Sequence, residues 1–402
     1  MSAEITVSYG GTHQAYHQAL AAQECGLLGA FLCSLYTARG KWGGRLSGIL
    51  GEAALANRKI EGLDPAKTIE HPWPFLLSRS LERFGRAGAR DWLWVTHQVD
   101  RWSARWLKSH PCRLLVATET GACHSFRTAK KQGTTCLLDC PQAHPNFLRD
   151  VLARAADDLG MPPTPPIDRP DVAARKLEEF ATADHMTMIT ELQANIFVQA
   201  GFERSRMTVI PYGINNAFWS NGDINPRRDP KAPLRVLFVG GIDLRKGIPY
   251  LLRACENLGS QVELWLVGPN RGTLKRFLND TKAKIILMGA KTKDELRTLY
   301  RSADVFVLPS LIDTFGYVAM EAMACGTPVI VTDNCGVPVP DSAWRVPVMD
   351  ATAISARLQH YIAHPEDLVT HGTQAQQFAA QFTPEKYRKS LGLLYLKLLE
   401  GQ

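Results

Sequence analysis

The feature that most constrains this fold is the alternation of short, unbroken apolar runs with helical patterns through the second half of the chain. Residues 235–240, 262–267, 284–288, 305–308 and 328–332 read as strands. Between them, 248–258 carries Leu251, Leu252, Cys255 and Leu258 on one helical face, and 293–302 and 316–324 also read as helices. Strands that are apolar end to end are covered on both faces, and helices between successive strands make the sheet parallel. The reading is α/β: a doubly wound, Rossmann-like domain. The first half repeats the style in weaker form, with strands at 5–9, 113–117, 134–138, 186–190 and 208–211 and a helix at 14–22. The apolar stretch 26–35 reads equally as strand or helix.

Chain length of 402 residues suits two such domains. The Asn-Gly, Asn-Pro and Asp-Pro steps of 215–233 mark the linker between a domain at 1–214 and one at 234–380. A tail at 381–402, with Tyr387, Leu391, Leu394, Tyr395 and Leu398 at helical spacing, could return to the first domain. A Pro-rich loop occupies 161–167. The net charge of +7 is mild for this length; it suits an anionic substrate or membrane surface and falls short of a nucleic-acid binder. Nine cysteines without a Cys-x-x-Cys pair point to thiols in a reducing cytoplasm rather than zinc or disulfides. The start MSAEITVSYGG lacks a secretory pattern, so a cytoplasmic protein is expected. No apolar run approaches the roughly 20 residues that span a bilayer.

Three strand–turn–helix junctions carry candidate chemistry. After the 305–308 run, Asp313, Thr314, Phe315 and Gly316 lead into a helix holding Glu321. Such a junction offers backbone N–H groups and a positive helix end to an anion, with the two carboxylates gripping hydroxyls beside it. Diphosphate plus polyol describes a sugar nucleotide. After the 235–240 run, Gly240 and Gly241 allow close backbone approach, and Arg245 and Lys246 suit phosphate oxygens. The same basic pair also suits an ordinary solvated loop. After the first strand, Ser8-Tyr9-Gly10-Gly11-Thr12-His13 is either a third ligand loop or a simple tight turn.

With these motifs in view, the chain resembles a retaining glycosyltransferase of family 4 (glycosyl transferases group 1), with a B-type fold of two Rossmann-like domains facing a cleft. The resemblance is strongest from Val209-Ile-Pro-Tyr-Gly-Ile-Asn to Gly336; Lys246-Gly247 matches the family's Lys-Gly, and Asp313 and Glu321 match the ends of its Glu-x7-Glu motif. It implies that Glu321 accepts hydrogen bonds from the donor ribose. Asp313, with the backbone of Thr314, Phe315 and Gly316, would meet the transferred sugar and diphosphate. Lys246 would neutralise the leaving group, and Gly10 and Gly11 would approach phosphates or acceptor. Two positions depart from the pattern: Asp313 stands for the usual Glu, and Gly241 for the usual Arg, leaving Arg245 as its substitute. The implied donor is a UDP-, GDP- or ADP-linked sugar, and the acceptor a saccharide or lipid-linked glycan. No Asp-x-Asp occurs, so no metal and no further cofactor are expected. The family's cleft histidine falls to His144 first and His124 second, with His97 also in this half; each also suits a structural role. Other readings are a non-catalytic nucleotide-sugar-binding subunit, or an epimerase or phosphorylase of the same fold.

A basic stripe, Arg79, Arg83, Arg86 and Arg90, runs beside Leu77, Leu81 and Phe84; Arg101, Arg105 and Lys108 repeat the spacing beside Trp102 and Trp106. This pattern suits either a solvated helix face or peripheral contact with the inner face of the cytoplasmic membrane, as in surface polysaccharide or lipopolysaccharide assembly.

Overall fold

The apolar runs form two parallel sheets. The computed structural model describes residues 3–12, 14–50, 55, 57–83, 91–162, 168–220, 232–270 and 272–401. In the first half, β1 (Ala3–Tyr9), β2 (Leu28–Cys33), β3 (Thr68–Glu70), β4 (Cys112–Thr118), β5 (Thr135–Cys140), β6 (His185–Met188) and β7 (Met207–Val209) lie in the order β3-β2-β1-β4-β5-β6-β7. In the second, β8 (Leu234–Val239), β9 (Val262–Val267), β10 (Ile285–Gly289), β11 (Val305–Leu308), β12 (Val329–Thr332) and β13 (Arg345–Val346) lie in the order β10-β9-β8-β11-β12-β13. Val305 pairs with Val236 and Val7 with Val116, in parallel register at the centre of each sheet. Both sheets therefore reverse their winding at one point, between β1 and β4 and between β8 and β11. Open α/β sheets bind ligands in the crevice at the carboxyl ends of those strands.

Burial explains the strand sequences. Every residue of β11 and β12 is buried, as helices cover both faces. The ambiguous stretch 26–35 contains β2, which pairs with β1 in register and is almost wholly buried. Strands β3 and β13 were not legible, being three and two residues long and partly polar.

The last helix, Pro384–Glu400, lies on the first sheet's side of the molecule. Its Arg388 Nε donates to Glu24 Oε1 at 2.8 Å, and Arg113 Nη2 donates to Leu399 O at 2.6 Å. The chain therefore crosses between domains twice, and the crossings touch: Ile214 N and Asn216 Nδ2 both donate to Phe382 O at 3.1 Å. Most of the expected 215–233 linker, the Pro-rich loop beyond Pro162, and Phe84, Arg86 and Arg90 of the basic stripe lie outside the described residues. No helix among the described residues is long and apolar enough to cross a membrane.

Candidate active site

Two loops at the β8/β11 reversal build the site. After β8, Asp243 accepts from Lys246 N at 3.0 Å and closes a tight turn over Leu244–Lys246. Gly247 follows with φ +68°, a left-handed conformation that favours glycine. A Cβ at Gly247 would stand 1.8 Å from Pro309 O, so only glycine lets the β8 and β11 loops close together. Leu311 N then donates to Arg245 O at 2.8 Å, which locks one loop on the other. The β11 loop is pinned from below as well: Asp313 N donates to Asn334 O at 3.0 Å, and Gly336 N to Asp313 O at 2.7 Å.

This local architecture brings the side chain of Lys246 onto Asp313 as an ion pair. The second oxygen of Asp313 accepts from Gly316 N at 2.8 Å. Burial opposes charge on Asp313, but Lys246, Arg245 and that N–H outweigh it and hold its carboxyl below the usual range. Gly316 N–H is thus turned to Asp313. Arg245 is half-buried and reaches Ile312 O at 3.5 Å. With Asp313, Thr314, Ile312 and the first domain's Pro141, Gln142 and Leu148, it lines an interdomain cavity of about 340 Å³. Gly240 sits beside the Lys246 stem, and Gly241 beside the Asp243 carboxylate.

Glu321 lies on the helix Tyr317–Ala324 and accepts from Tyr300 Oη at 3.0 Å. Burial pushes its carboxyl up to about 7, with the Tyr300 hydrogen bond and Lys293 working the other way. Phe315 is 2 % exposed and packs edge-on against Tyr212 and Tyr317, so its side chain anchors the loop. Arg245 and Asp313 therefore share one wall of the cleft, Lys246 stands behind it on Asp313, and Glu321 lies on the helix that the loop opens.

Three first-domain groups missed by the sequence reading clasp this loop. Thr314 Oγ1 donates to Pro141 O at 2.8 Å, Thr190 Oγ1 to Thr314 O at 3.0 Å, and Gln14 Nε2 to Tyr317 Oη at 2.6 Å. Thr190 also caps the helix Glu191–Gln199.

The expectation for His144 is corrected. Its ring is 3 % exposed and sits among Phe180, Phe197 and Phe202, while Nδ1 accepts from Asn146 N to cap the helix Pro145–Asp158. It does not face the cleft. His124 meets Arg101 at 3.4 Å, and burial lowers the pKa of His97 to about 4. His13 lies outside the described residues. Gly10 and Gly11 end β1 against packed neighbours: added Cβ atoms would stand 2.8 Å from Thr96 Cα and 2.5 Å from the Tyr9 ring. No group of three or more His, Cys, Asp or Glu among the described residues is arranged to hold a metal.

Two Rossmann-like domains across a cleft define the B-type glycosyltransferase fold. Sucrose-phosphate synthase from Thermosynechococcus elongatus aligns over 100 % of both chains with a TM-score of 0.61 at 20 % identity. Anabaena HepE, solved in complex with UDP, aligns over 97 % of this chain and 99 % of its own with a TM-score of 0.60 at 14 % identity. Residues 233–364 match the family described as Glycosyl transferases group 1. The chain is 33 % identical over 183 residues to an uncharacterized glycosyltransferase of Methanocaldococcus jannaschii, covering 41 % of this chain and 46 % of that one. It is 29 % identical over 212 residues to the D-inositol 3-phosphate glycosyltransferase of Mycolicibacterium smegmatis, covering 50 % and 48 %. The chain thus spans about half the length of the curated relatives it matches.

Proposed function

We propose that this protein is a retaining glycosyltransferase that moves a sugar from a nucleoside diphosphate to a saccharide or lipid-linked acceptor. The observation that carries the reading is that Arg245 and Asp313 line one cavity at the β8/β11 reversal, with Lys246 ion-paired to Asp313 just behind that wall. Breaking the anomeric C–O bond leaves the electron pair on the diphosphate. Lys246 and Arg245 stabilise that growing charge, and Asp313 faces the cationic sugar. Glu321 takes the ribose hydroxyls. The acceptor hydroxyl enters on the face the diphosphate leaves, and a departing phosphate oxygen takes its proton. The fixed cations stand where other enzymes use a divalent ion, so transfer is expected to be metal-independent.

The remaining assignments belong to the same proposal. The protein works in the cytoplasm on surface polysaccharide or lipopolysaccharide and binds no nucleic acid. Its first domain touches the inner membrane face through Trp73, Leu77, Leu81, Trp92 and Trp94, all exposed. Incubating the chain with UDP-, GDP- and ADP-sugars plus chelator, followed by mass spectrometry of released nucleotide and product, tests it. Transfer is expected without added metal; tight nucleotide binding with neither transfer nor hydrolysis would instead identify a binding subunit.

A further inference from the structure

A second pocket lies in the first domain, at the carboxyl end of β1, and it holds a buried cation. Arg58 is 8 % exposed. One of its nitrogens donates to Ser34 Oγ at 2.8 Å, and its guanidinium stacks 4.2 Å over the Phe75 ring. The Tyr16 hydroxyl, the Cys33 thiol and the Arg79 guanidinium are its other polar neighbours. No carboxylate pairs with Arg58 among the described residues. A guanidinium has five N–H donors, and a charge taken from water is costly unless paired. With Gly10, Gly11, Phe75, Ser78, Arg79 and Glu82, Arg58 lines a cavity of about 150 Å³. Arg79 pairs with Glu82, so among the described lining residues Arg58 is left as the positive charge without a carboxylate partner.

The location says which substrate would sit there. The pocket is beside the β1/β4 reversal, the first domain's own ligand crevice. Ser34 Oγ donates to Gly10 O at 2.7 Å, so Arg58, Ser34 and the glycine loop form one hydrogen-bonded chain. The same loop runs on to Gln14, which holds Tyr317 of the donor loop. A molecule anchored at Arg58 and lying along residues 10–14 would extend toward the donor site.

We infer that the acceptor carries a phosphate and that this group seats on Arg58, with Ser78 and Arg79 beside it, while an acceptor hydroxyl reaches the donor loop. This rests on the glycosyltransferase reading for the word acceptor, but the anion site itself does not. A planar guanidinium matches two phosphate oxygens, the Ser78 hydroxyl suits a third, and Arg79 can join them only by leaving Glu82. The phosphate belongs either to a soluble sugar phosphate or to a polyprenyl phosphate in a membrane.

The test is calorimetry on the full chain, first with UDP, then with inorganic phosphate in saturating UDP so that the donor site is filled. Parallel arms use glucose 6-phosphate, and phosphatidylcholine vesicles with and without polyprenyl monophosphate. Saturable phosphate binding in the presence of UDP is expected. Arg58→Met should weaken it at least tenfold at unchanged thermal stability, with Arg58→Lys in between. If Arg58→Met does not fold, Ser34→Ala, which frees the guanidinium from its anchor, should weaken it several-fold. An Arg58-dependent response to glucose 6-phosphate identifies a soluble acceptor, and one confined to the doped vesicles a lipid-linked acceptor. Phosphate binding abolished by UDP, equal binding by wild type and a folded Arg58→Met, or no Arg58-dependent response in either acceptor arm would overturn the inference. Failure of UDP, GDP and ADP alike to bind would sink the donor-site reading alone, since the phosphate arm is read independently.

Discussion

Lys246 and Asp313 hold opposite charges in one largely buried pair, and in the proposed reaction an arriving diphosphate must compete for the lysine. The shorter Asp reaches Lys246 while a Gly316 N–H fixes its other oxygen, so neither side chain is free to drift. Losing one such cation at the leaving group should lower transfer about 10²–10³-fold, and Lys246→Ala is expected to do so at saturating donor. Turnover within a few-fold of wild type would show that the leaving group lies elsewhere. Glu321 gives a pH test. Burial raises its carboxyl to about 7, so the free protein binds a proton there that an unfolded chain would release nearer 4.5. Stability from this group is therefore present at low pH and lost as pH rises through about 7. In the proposed donor site ribose hydroxyls would donate to the carboxylate, so binding UDP-glucose should release a proton and tighten between about pH 6 and 8. Titrations in two buffers of different ionisation heat check this, and Glu321→Gln should flatten the dependence. A wild-type affinity constant across that range would refute the ribose role.

At the scale of elements, the two loops at the β8/β11 reversal act as one part because Gly247 lets them touch. Gly247→Ala meets both a left-handed backbone and the Pro309 carbonyl. Gly259 also has a positive φ, +55°, though with ψ −127° rather than the helical ψ of Gly247, and no atom lies near its missing Cβ. Gly259→Ala should cost about 1–2 kcal/mol, and Gly247→Ala clearly more, with nucleotide affinity falling at least tenfold only in the latter. Equal melting temperatures for the two variants would mean the loops are not locked. The strands and these junctions were legible because strand, turn and helix are local: the apolar run, the glycine and the cations follow one another in the chain. The clasp was not legible, since Gln14, Pro141 and Thr190 come from three separate loops of the other domain and meet Thr314 and Tyr317 only after docking. His144 was misread for the same reason. Its three phenylalanine neighbours lie 36, 53 and 58 residues farther along, and nothing near it in sequence marks an aromatic nest.

The whole molecule has a side, and its exposed aromatic surface lies on the first domain. Trp73 and Leu77 are 63 % and 52 % exposed, and Leu81, Trp92 and Trp94 lie on the same helix and the next. The basic stripe is less available than its spacing suggested, because Arg79 is paired with Glu82 and stacked on Phe75. Apolar insertion, with charge as a second term, is then the expected mode of membrane contact. Burying one such side chain is worth about 1.5–3 kcal/mol and does not depend on salt, whereas each basic residue adds about 1 kcal/mol that salt screens. Trp92 also borders the Arg58 pocket, so a chain lying on this face would hold the acceptor pocket at the lipid surface. Co-sedimentation with vesicles containing anionic lipid tests the arrangement. Wild type should bind at low salt and keep a measurable part at high salt. Trp73→Ser with Leu77→Ser should lose more than tenfold at both, and Arg79→Gln only part of the low-salt binding. Equal, negligible binding of wild type and the double variant would remove the membrane contact and leave the transfer site as it stands.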